Sequence, residues 1–453
     1  MLIPKNHHRQ LVVRMFVVCC LLSAVILVWT QQYEYEEVKR KKHRRRHSGG
    51  GRSSNDQSSP GLFQSWFSSM EERGEDDEEN TFTCRIHKMN MTLPQAPDVI
   101  IAGAPKCGTT TLAHWFLEHP QILPTKKWES HFFNTGIHPR EFGPLLNITT
   151  QYTREDGSIT TTTGTTTSST HYSATSSNDR QDLICQLRKR YLRHWPDLIA
   201  SLSETSKDDD ATRYYTFDKT PDYLYPSRVP ALIRALFPKQ LPKIVVVLRN
   251  PIDRAYSHYR MTQRLMRAEH IPFEEFVERE LHLLQELGLT DFQADFDREP
   301  TVAGNESQMT TNTVATDRMF SVEETDELYD QVSDQLQGHN YLSRGLYAMQ
   351  LERWIRHGFG DEELLVIPYM ELSLDPAGVY ARILDFVGMP DHSLNGDILN
   401  KRFNYNNEKT ESLRNATRLW LQQFYHQANE ELVNLLEAKN LTMGYEWRGR
   451  WDT

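Results

Sequence analysis

The sequence predicts an α/β fold, a single domain in which helices flank a central parallel sheet. Val99-Ile100-Ile101-Ala102, Ile244-Val245-Val246-Val247-Leu248 and Leu364-Leu365-Val366-Ile367 are continuously apolar rather than alternating. A strand that is apolar on both sides is covered on both faces, which is the habit of parallel sheets. Each run leads into a helical stretch. Leu112 to Leu117 follows a loop from Gly103 to Thr111, a second helix starts at about Asp253, and a third lies around Ala377 to Val387. Strands alternating with helices are the βαβ pattern. Composition permits such a core in a chain of 453 residues that is 38% hydrophobic and 25% charged. That apolar share is below the usual ~45–50%, a figure that also counts Gly, so part of the chain is polar and lies outside the core. The net charge of −10 argues against a basic nucleic-acid coat, and no nucleic-acid partner is expected. Five cysteines are too few for a disulfide-built scaffold.

In chain order, residues 1–10 read as a cytoplasmic tail. Residues 11–29 are apolar, with Arg14 their sole charge. A membrane span needs ~20 such residues, so this stretch is expected to be a transmembrane signal anchor. A cleaved signal peptide is the rival, but Val28-Trp29-Thr30 is a poor small-x-small site. Residues 30–95 read as a disordered stem. A basic run (Lys39 to Lys42, Arg44 to Arg46) gives way to Ser/Gly-rich sequence from Ser48 to Ser59, then to an acidic run from Glu71 to Glu79. Such a composition cannot offset the entropy of ordering. Beside an anchor, the basic run reads as a solvated tether rather than a nuclear-localisation patch or a lipid-headgroup site. The folded domain is expected over 96–449, with polar surface insertions near 150–180 and 290–325. Leu413, Ala416, Trp420, Phe424, Ala428, Leu432 and Leu435 recur every three or four residues and predict a long final helix with that stripe in the core.

The loop after the first strand reads Gly103-Ala104-Pro105-Lys106-Cys107-Gly108-Thr109-Thr110-Thr111. Two glycines between strand and helix let backbone N–H groups wrap a phosphate, and the helix start adds partial positive charge. Lys106, Cys107, Gly108, Thr109, Thr110 and Thr111 are therefore the expected phosphate-binding residues. The nucleotide-triphosphatase loop reads G-x-x-x-x-G-K-[ST]. Here Thr109 follows Gly108 and the lysine sits inside the loop. Strand 244–248 ends in Arg249-Asn250-Pro251, not in the Asp that would hold Mg²⁺. No metal site is expected. Arg249 at that strand end and Ser257 on the next helix form a second expected anion site, a guanidinium fork plus a hydroxyl. A ligand with a 5′-phosphate and a separate 3′-phosphate fits both. Taken singly, the loop could be a glycine turn that binds nothing, and Arg249 a surface ion-pair partner.

Val99 to Thr111 together with Lys243 to Tyr259 resembles the sulfotransferases that use 3′-phosphoadenylyl sulfate (PAPS). Further segments resemble their Golgi carbohydrate branch: Trp128-Glu129-Ser130-His131-Phe132-Phe133, Asp218-Lys219-Thr220-Pro221-Asp222-Tyr223, and Tyr341 to Tyr347 with Leu351 and Trp354. The tail from Thr410 to Leu436 resembles N-acetylgalactosamine 4-sulfate 6-O-sulfotransferase-like enzymes. The resemblance covers about 98–135 and 214–447 without the insertions, and it lies nearest the heparan sulfate and galactosaminoglycan enzymes. It implies transfer of a sulfuryl group from PAPS, as co-substrate, to a hydroxyl (less readily an amine) of a glycan or polysaccharide acceptor. Glu129 is the implied general base. Lys106 and Lys219 are the implied cations that stabilise the leaving oxygen without a metal. His131, two residues on, would share a side of an extended segment with Glu129 and could orient substrate. Asp222, with Lys219, is an expected acceptor contact, and so is Tyr223.

The chain departs from that branch where a cysteine-bounded loop should precede a K-G-x-x stretch. Asn406-Asn407-Glu408-Lys409-Thr410 stands there, with Lys409 as the candidate cation. Cys107 is expected to be a free thiol, and pairing of Cys84 with Cys185 is left open. The sequons at Asn90, Asn147, Asn305 and Asn440 are candidate glycosylation sites, while Asn415 lies on the amphipathic helix. The expected location is a single-pass type II Golgi membrane protein with a lumenal domain. The flanking Lys and Arg count points the other way, because the basic run lies beyond the anchor. Two alternatives stand beside this reading. A Mg²⁺-dependent P-loop kinase would prefer ATP to PAPS, and a non-catalytic Golgi glycan-binding protein would not depend on Glu129.

Overall fold

The computed structural model describes residues 84–86, 91–92, 97–137, 141, 145, 150–153, 159–162, 177–198, 213–266, 271–292, 322–399, 401, 403, 412–447 and 451. The anticipated anchor at 11–29, Lys409 and the sequons at Asn90, Asn147 and Asn305 lie outside them. Among the described residues no helix is long and apolar enough to cross a membrane.

A five-stranded sheet forms the centre. Its strands are β1 (Val99–Gly103), β2 (Ile122–Leu123), β3 (Tyr215–Lys219), β4 (Lys243–Leu248) and β5 (Leu364–Pro368), in the order β2-β3-β1-β4-β5. Every pairing is parallel; Val99 faces Phe217 on one side and Lys243 on the other. The three apolar runs are thus β1, β4 and β5, buried as their patterning requires. Strand β3 has no such signature, yet all its residues are buried. Its polar groups are satisfied inside the fold. The Thr216 hydroxyl and amide both donate to the Asp98 carboxylate, at 3.0 and 2.8 Å. Asp218 and Lys219 find partners in the site described below.

The longer helices are α1 (Thr109–Glu118), α2 (Ser177–Leu192), α3 (Arg228–Leu236), α4 (Pro251–Met266), α5 (Phe273–Glu286), α6 (Val322–Gln335), α7 (Tyr347–Arg356), α8 (Pro376–Val387) and α9 (Asn415–Ala438). Helix α4 begins at Pro251, earlier than anticipated, because the Asn250 side chain accepts from the Ile252 amide at 3.0 Å and proline suits the first helical position. Helix α8 is bounded by Asp375, which accepts from the Gly378 amide, and by left-handed Gly388.

Helix α9 forms, but its buried stripe is rotated from the anticipated one. Thr417, Leu421, Phe424, Tyr425, Ala428, Leu432 and Leu436 are buried, whereas Ala416, Trp420 and Leu435 are only partly covered. The polar members explain the shift. The Tyr425 hydroxyl donates to the Leu342 carbonyl at 2.8 Å, and the Thr417 hydroxyl to Glu274 at 2.6 Å. An apolar-only reading passes over such residues.

At the edge of the anticipated insertion 290–325, Thr290 and Phe292 are buried, with Phe292 packed edge-on against Trp420 and Phe424. Residues 150–153 and 159–162 pair as an antiparallel ribbon. A disulfide joins Cys84, within the stretch assigned to the stem, to Cys185 on α2, and residues 85–86 pair with 91–92.

Candidate active site

The site lies where the carboxyl ends of β1, β3 and β4 meet, the usual ligand position in an open α/β sheet. Strand β1 ends at Gly103, where a Cβ would come within 2.6 Å of Leu224 Cβ. The loop then turns through Lys106 at φ 71° and Gly108 at φ 85°. A Cβ on Gly108 would lie 2.6 Å from Leu372 Cδ1, so the residue is required for both space and conformation. The Ala104 amide donates to the Val247 carbonyl at 2.9 Å, fastening the loop to β4. Helix α1 starts at Gly108 without a side-chain cap, which leaves its first turn oriented for an anion. Thr109 is buried there and Thr110 and Thr111 are half-buried. Cys107 is a buried free thiol, and burial pushes its pKa up.

Lys106 Nζ lies 3.5 Å from Met261 Sδ on α4. Burial, and then the positive charges of Arg264, Lys219 and Arg249, push its ammonium down to about 8. Arg249 follows β4, its guanidinium 5.0 Å over the Tyr369 ring and its carbonyl accepting from the Tyr347 hydroxyl at 3.0 Å. Ser257 stands half-buried on α4.

Lys219 ends β3, is buried, and lies 5.0 Å over the Trp128 ring. Its ammonium donates to Glu129 Oε1, while Glu129 Oε2 is 3.3 Å from His131 Nε2. Burial alone would raise the Glu129 carboxyl, but the Lys219 charge and the His131 hydrogen bond outweigh it and hold the group at about 2. Burial alone would likewise lower the His131 imidazole; the bond to Glu129 and the charges of Asp222, Glu129 and Asp218 raise it instead.

Glu129 and His131 do meet, but not by sharing the side of an extended segment. His131 is left-handed at φ 50°, ψ 23° and opens a π-turn over Phe132–Gly136. The Thr135 and Gly136 amides donate to its carbonyl at 3.0 and 2.9 Å, and Asn134 Nδ2 lies 3.2 Å from its Nδ1. The turn, not strand alternation, brings the imidazole back onto the carboxylate.

Asp222 sits on a short 3₁₀ turn, Pro221–Tyr223, and accepts from Arg344 Nη1 at 2.9 Å. Tyr223 is not placed to touch an acceptor. It is fully buried, and its hydroxyl is engaged by Asp218, Ser130 and the Phe132 amide.

Residues that sequence reasoning passed over now stand out: Trp128 beneath Lys219, Arg344 behind Asp222, Met261 against Lys106, and the buried Asp218 with its hydroxyl partners. No sequence signal marked Asp218, because β3 lacks the apolar run that would have shown its burial. Among the described residues no group of His, Cys, Asp and Glu is arranged to hold a metal ion. Asn440 is exposed, with its amide 3.4 Å from Asp361 Oδ2, and Asn415 is exposed at the start of α9.

A family model described as a sulfotransferase domain matches residues 96–434, well over half of the chain. Among curated proteins, the chain is similar to a membrane-associated sulfotransferase, kil1, of Dictyostelium discoideum. The two are 20% identical over 75% of this chain and 65% of the relative. It is also similar to heparan sulfate glucosamine 3-O-sulfotransferase 3B1 of Mus musculus, 28% identical over 43% of this chain and 35% of the relative. The chain thus spans less than two thirds of the length of either relative. Among solved structures it is similar to a sulfotransferase from Alicyclobacillus acidocaldarius, at 20% identity and a TM-score of 0.40, covering 76% of this chain and 97% of that one.

Proposed function

The chain belongs to the sulfotransferase domain family, and on that premise we propose that it transfers a sulfuryl group from PAPS to a hydroxyl of a glycan acceptor. The acceptor oxygen attacks sulfur, the bond from sulfur to the donor's bridging oxygen breaks, and the acceptor proton passes to Glu129. Charge builds on that bridging oxygen, and Lys106 and Lys219 are the cations for it. His131 holds the Glu129 carboxylate from its other side. The Gly108 cradle and the uncapped start of α1 suit the donor's 5′-phosphate, and Arg249 with Ser257 its 3′-phosphate. Asp222 is assigned to the acceptor side.

One observation carries the reading. A single carboxylate, Glu129, is held between Lys219 and His131 at the strand ends, beside the loop that bears Lys106. Lys219 masks that carboxylate and keeps it a weak base. When Lys219 turns to the donor, the carboxyl pKa rises toward the range useful for proton abstraction. Donor binding and base strength are thereby coupled.

The glycan class follows from the segments at 128–133 and 218–223 and from the heparan sulfate relative. An anchor at 11–29 would set the domain in the Golgi lumen, where the Cys84–Cys185 disulfide and the sequons at Asn90, Asn147, Asn305 and Asn440 are compatible with an oxidising, glycosylating compartment.

The test is transfer of labelled sulfate from PAPS to a panel of polysaccharides by purified protein. Label on at least one acceptor, lost in Glu129→Gln, is expected. No label on any member, beside an active control sulfotransferase, would sink the proposal.

A further inference from the structure

Asp218 lies beneath the reacting groups and has no part in the transfer itself. It is buried on β3, next to Lys219. Its Oδ1 accepts from the Thr220 hydroxyl at 2.7 Å. Its Oδ2 accepts from the Tyr191 hydroxyl of α2 at 2.6 Å and lies 2.6 Å from Ser130 Oγ and 3.0 Å from the Tyr223 hydroxyl. All four partners are hydroxyls, and because Ser130 Oγ also lies 2.7 Å from the Tyr223 hydroxyl, one of those two gives its proton to the other rather than to Asp218.

A carboxylate only accepts, and a hydroxyl has a single proton to give. Hydroxyl protons drawn toward Asp218 leave the oxygen lone pairs facing away from it. Those lone pairs meet backbone amides of the segment that carries Glu129. Thr220 Oγ1 accepts from the Ser130 amide at 3.1 Å and the His131 amide at 3.4 Å. The Tyr223 hydroxyl accepts from the Phe132 amide at 2.8 Å and the Phe133 amide at 3.3 Å. Both tyrosines keep their protons, since burial and then the Asp218 charge push their phenols far above the ordinary range. Rings close the same wall: Tyr191 stacks on Phe132 at 4.5 Å, and Phe133 meets Tyr223 edge-on at 5.4 Å.

We infer that Asp218 is a positioning residue: by orienting the hydroxyls of Thr220 and Tyr223 it fixes the amides of 130–133, and so sets the Glu129 carboxylate and the His131 imidazole against Lys219. The inference rests on the proposed role of Glu129 only for its effect on rate; its effect on the backbone is independent of that role.

Asp218→Asn keeps the size but puts an amide donor among donors, so at least one hydroxyl must turn its proton away. The full chain should be compared with this variant in two readouts. The first is hydrogen–deuterium exchange at the amides of Ser130, His131 and Phe132, expected to quicken about 10-fold, the worth of roughly one hydrogen bond. The second is steady-state transfer, in which kcat should fall about 10²-fold, as for a reacting group displaced by about 1 Å, with the KM for PAPS within about 2-fold. Thr220→Val removes one amide acceptor and leaves Asp218 in place. It should quicken exchange at Ser130 and His131 but not at Phe132, and it stands in should Asp218→Asn fail to fold. Unchanged exchange at these amides overturns the inference whatever the rate does. So does a loss of kcat matched by an equal rise in the KM for PAPS, which marks general damage. Full activity in Glu129→Gln would overturn the base assignment instead and leave the exchange result standing.

Discussion

Around Glu129 the polar groups are paired with one another, whereas around Lys106 the cations face cations. On the first side Glu129 holds Lys219 and His131, Asp218 gathers Ser130, Thr220 and Tyr223, and the His131 amide, donating to Thr220 Oγ1 at 3.4 Å, joins the two groups. On the second, the charges that press on Lys106 are those of Arg264, Lys219 and Arg249, all positive. The paired side is held together by the protein's own groups. On that side Lys219 is answered by Glu129, whereas the charges that act most strongly on Lys106 are positive, and a polyanionic donor would balance them. The formal charge of −10 for the whole chain conceals that local excess.

The sharpest way to break this contrast is to remove the charge at the centre of the paired side. Glu129→Gln should lower kcat by ~10²–10⁴-fold with donor affinity nearly unchanged, read from initial rates over a PAPS titration. Lys106→Met attacks the other side and should lower kcat by ~10²–10³-fold in the same assay. Arg249→Ala should act on binding, raising the donor dissociation constant by about 10–100-fold, the worth of a charged hydrogen bond, as read by calorimetry with the desulfated nucleotide. An effect of Arg249→Ala confined to kcat would erase the distinction between the sides.

The smallest effects are in pH. Lys106 is pushed below its ordinary value of 10.5 to about 8, so the folded protein without donor binds fewer protons there than the unfolded chain. The lysine therefore costs stability below about pH 8, and the cost is relieved as pH rises from about 8 toward 10.5. Lys106→Met should raise the melting temperature of the free protein at pH 7, by an amount that shrinks toward pH 10. Donor affinity should fall as pH rises through about 8. Glu129 has the opposite sign. Its carboxyl is held at about 2 against an ordinary 4.5, so its stabilisation is present above about pH 4.5 and is lost as pH falls toward 2. Melting curves of wild type and Glu129→Gln should converge in that window.

Much of the region around Lys106 was legible from residue order. The apolar runs became β1, β4 and β5, and Gly108 stands in a conformation that glycine favours. The region around Glu129 was legible only as a set of residue types. Strand β3 carries Thr, Asp and Lys and gave no apolar signal, because its burial depends on partners drawn from elsewhere in the chain. The meeting of His131 with Glu129 was anticipated on the wrong geometry, since a left-handed residue and a π-turn leave no trace in a period-two pattern. The stripe of α9 was misplaced for a related reason: Thr417 and Tyr425 are buried through hydrogen bonds that a hydropathy pattern does not weigh.

The α/β class and the glycine-bounded loop are written in local periodicity and in glycine's conformational needs. That Lys219 faces Glu129, that Asp218 gathers hydroxyls from three separate segments, and that Lys106 stands among cations come from the way the strands are assembled. The partner of a buried polar group depends on which strands lie side by side, and parallel pairing of β1 with β3 joins residues more than a hundred positions apart.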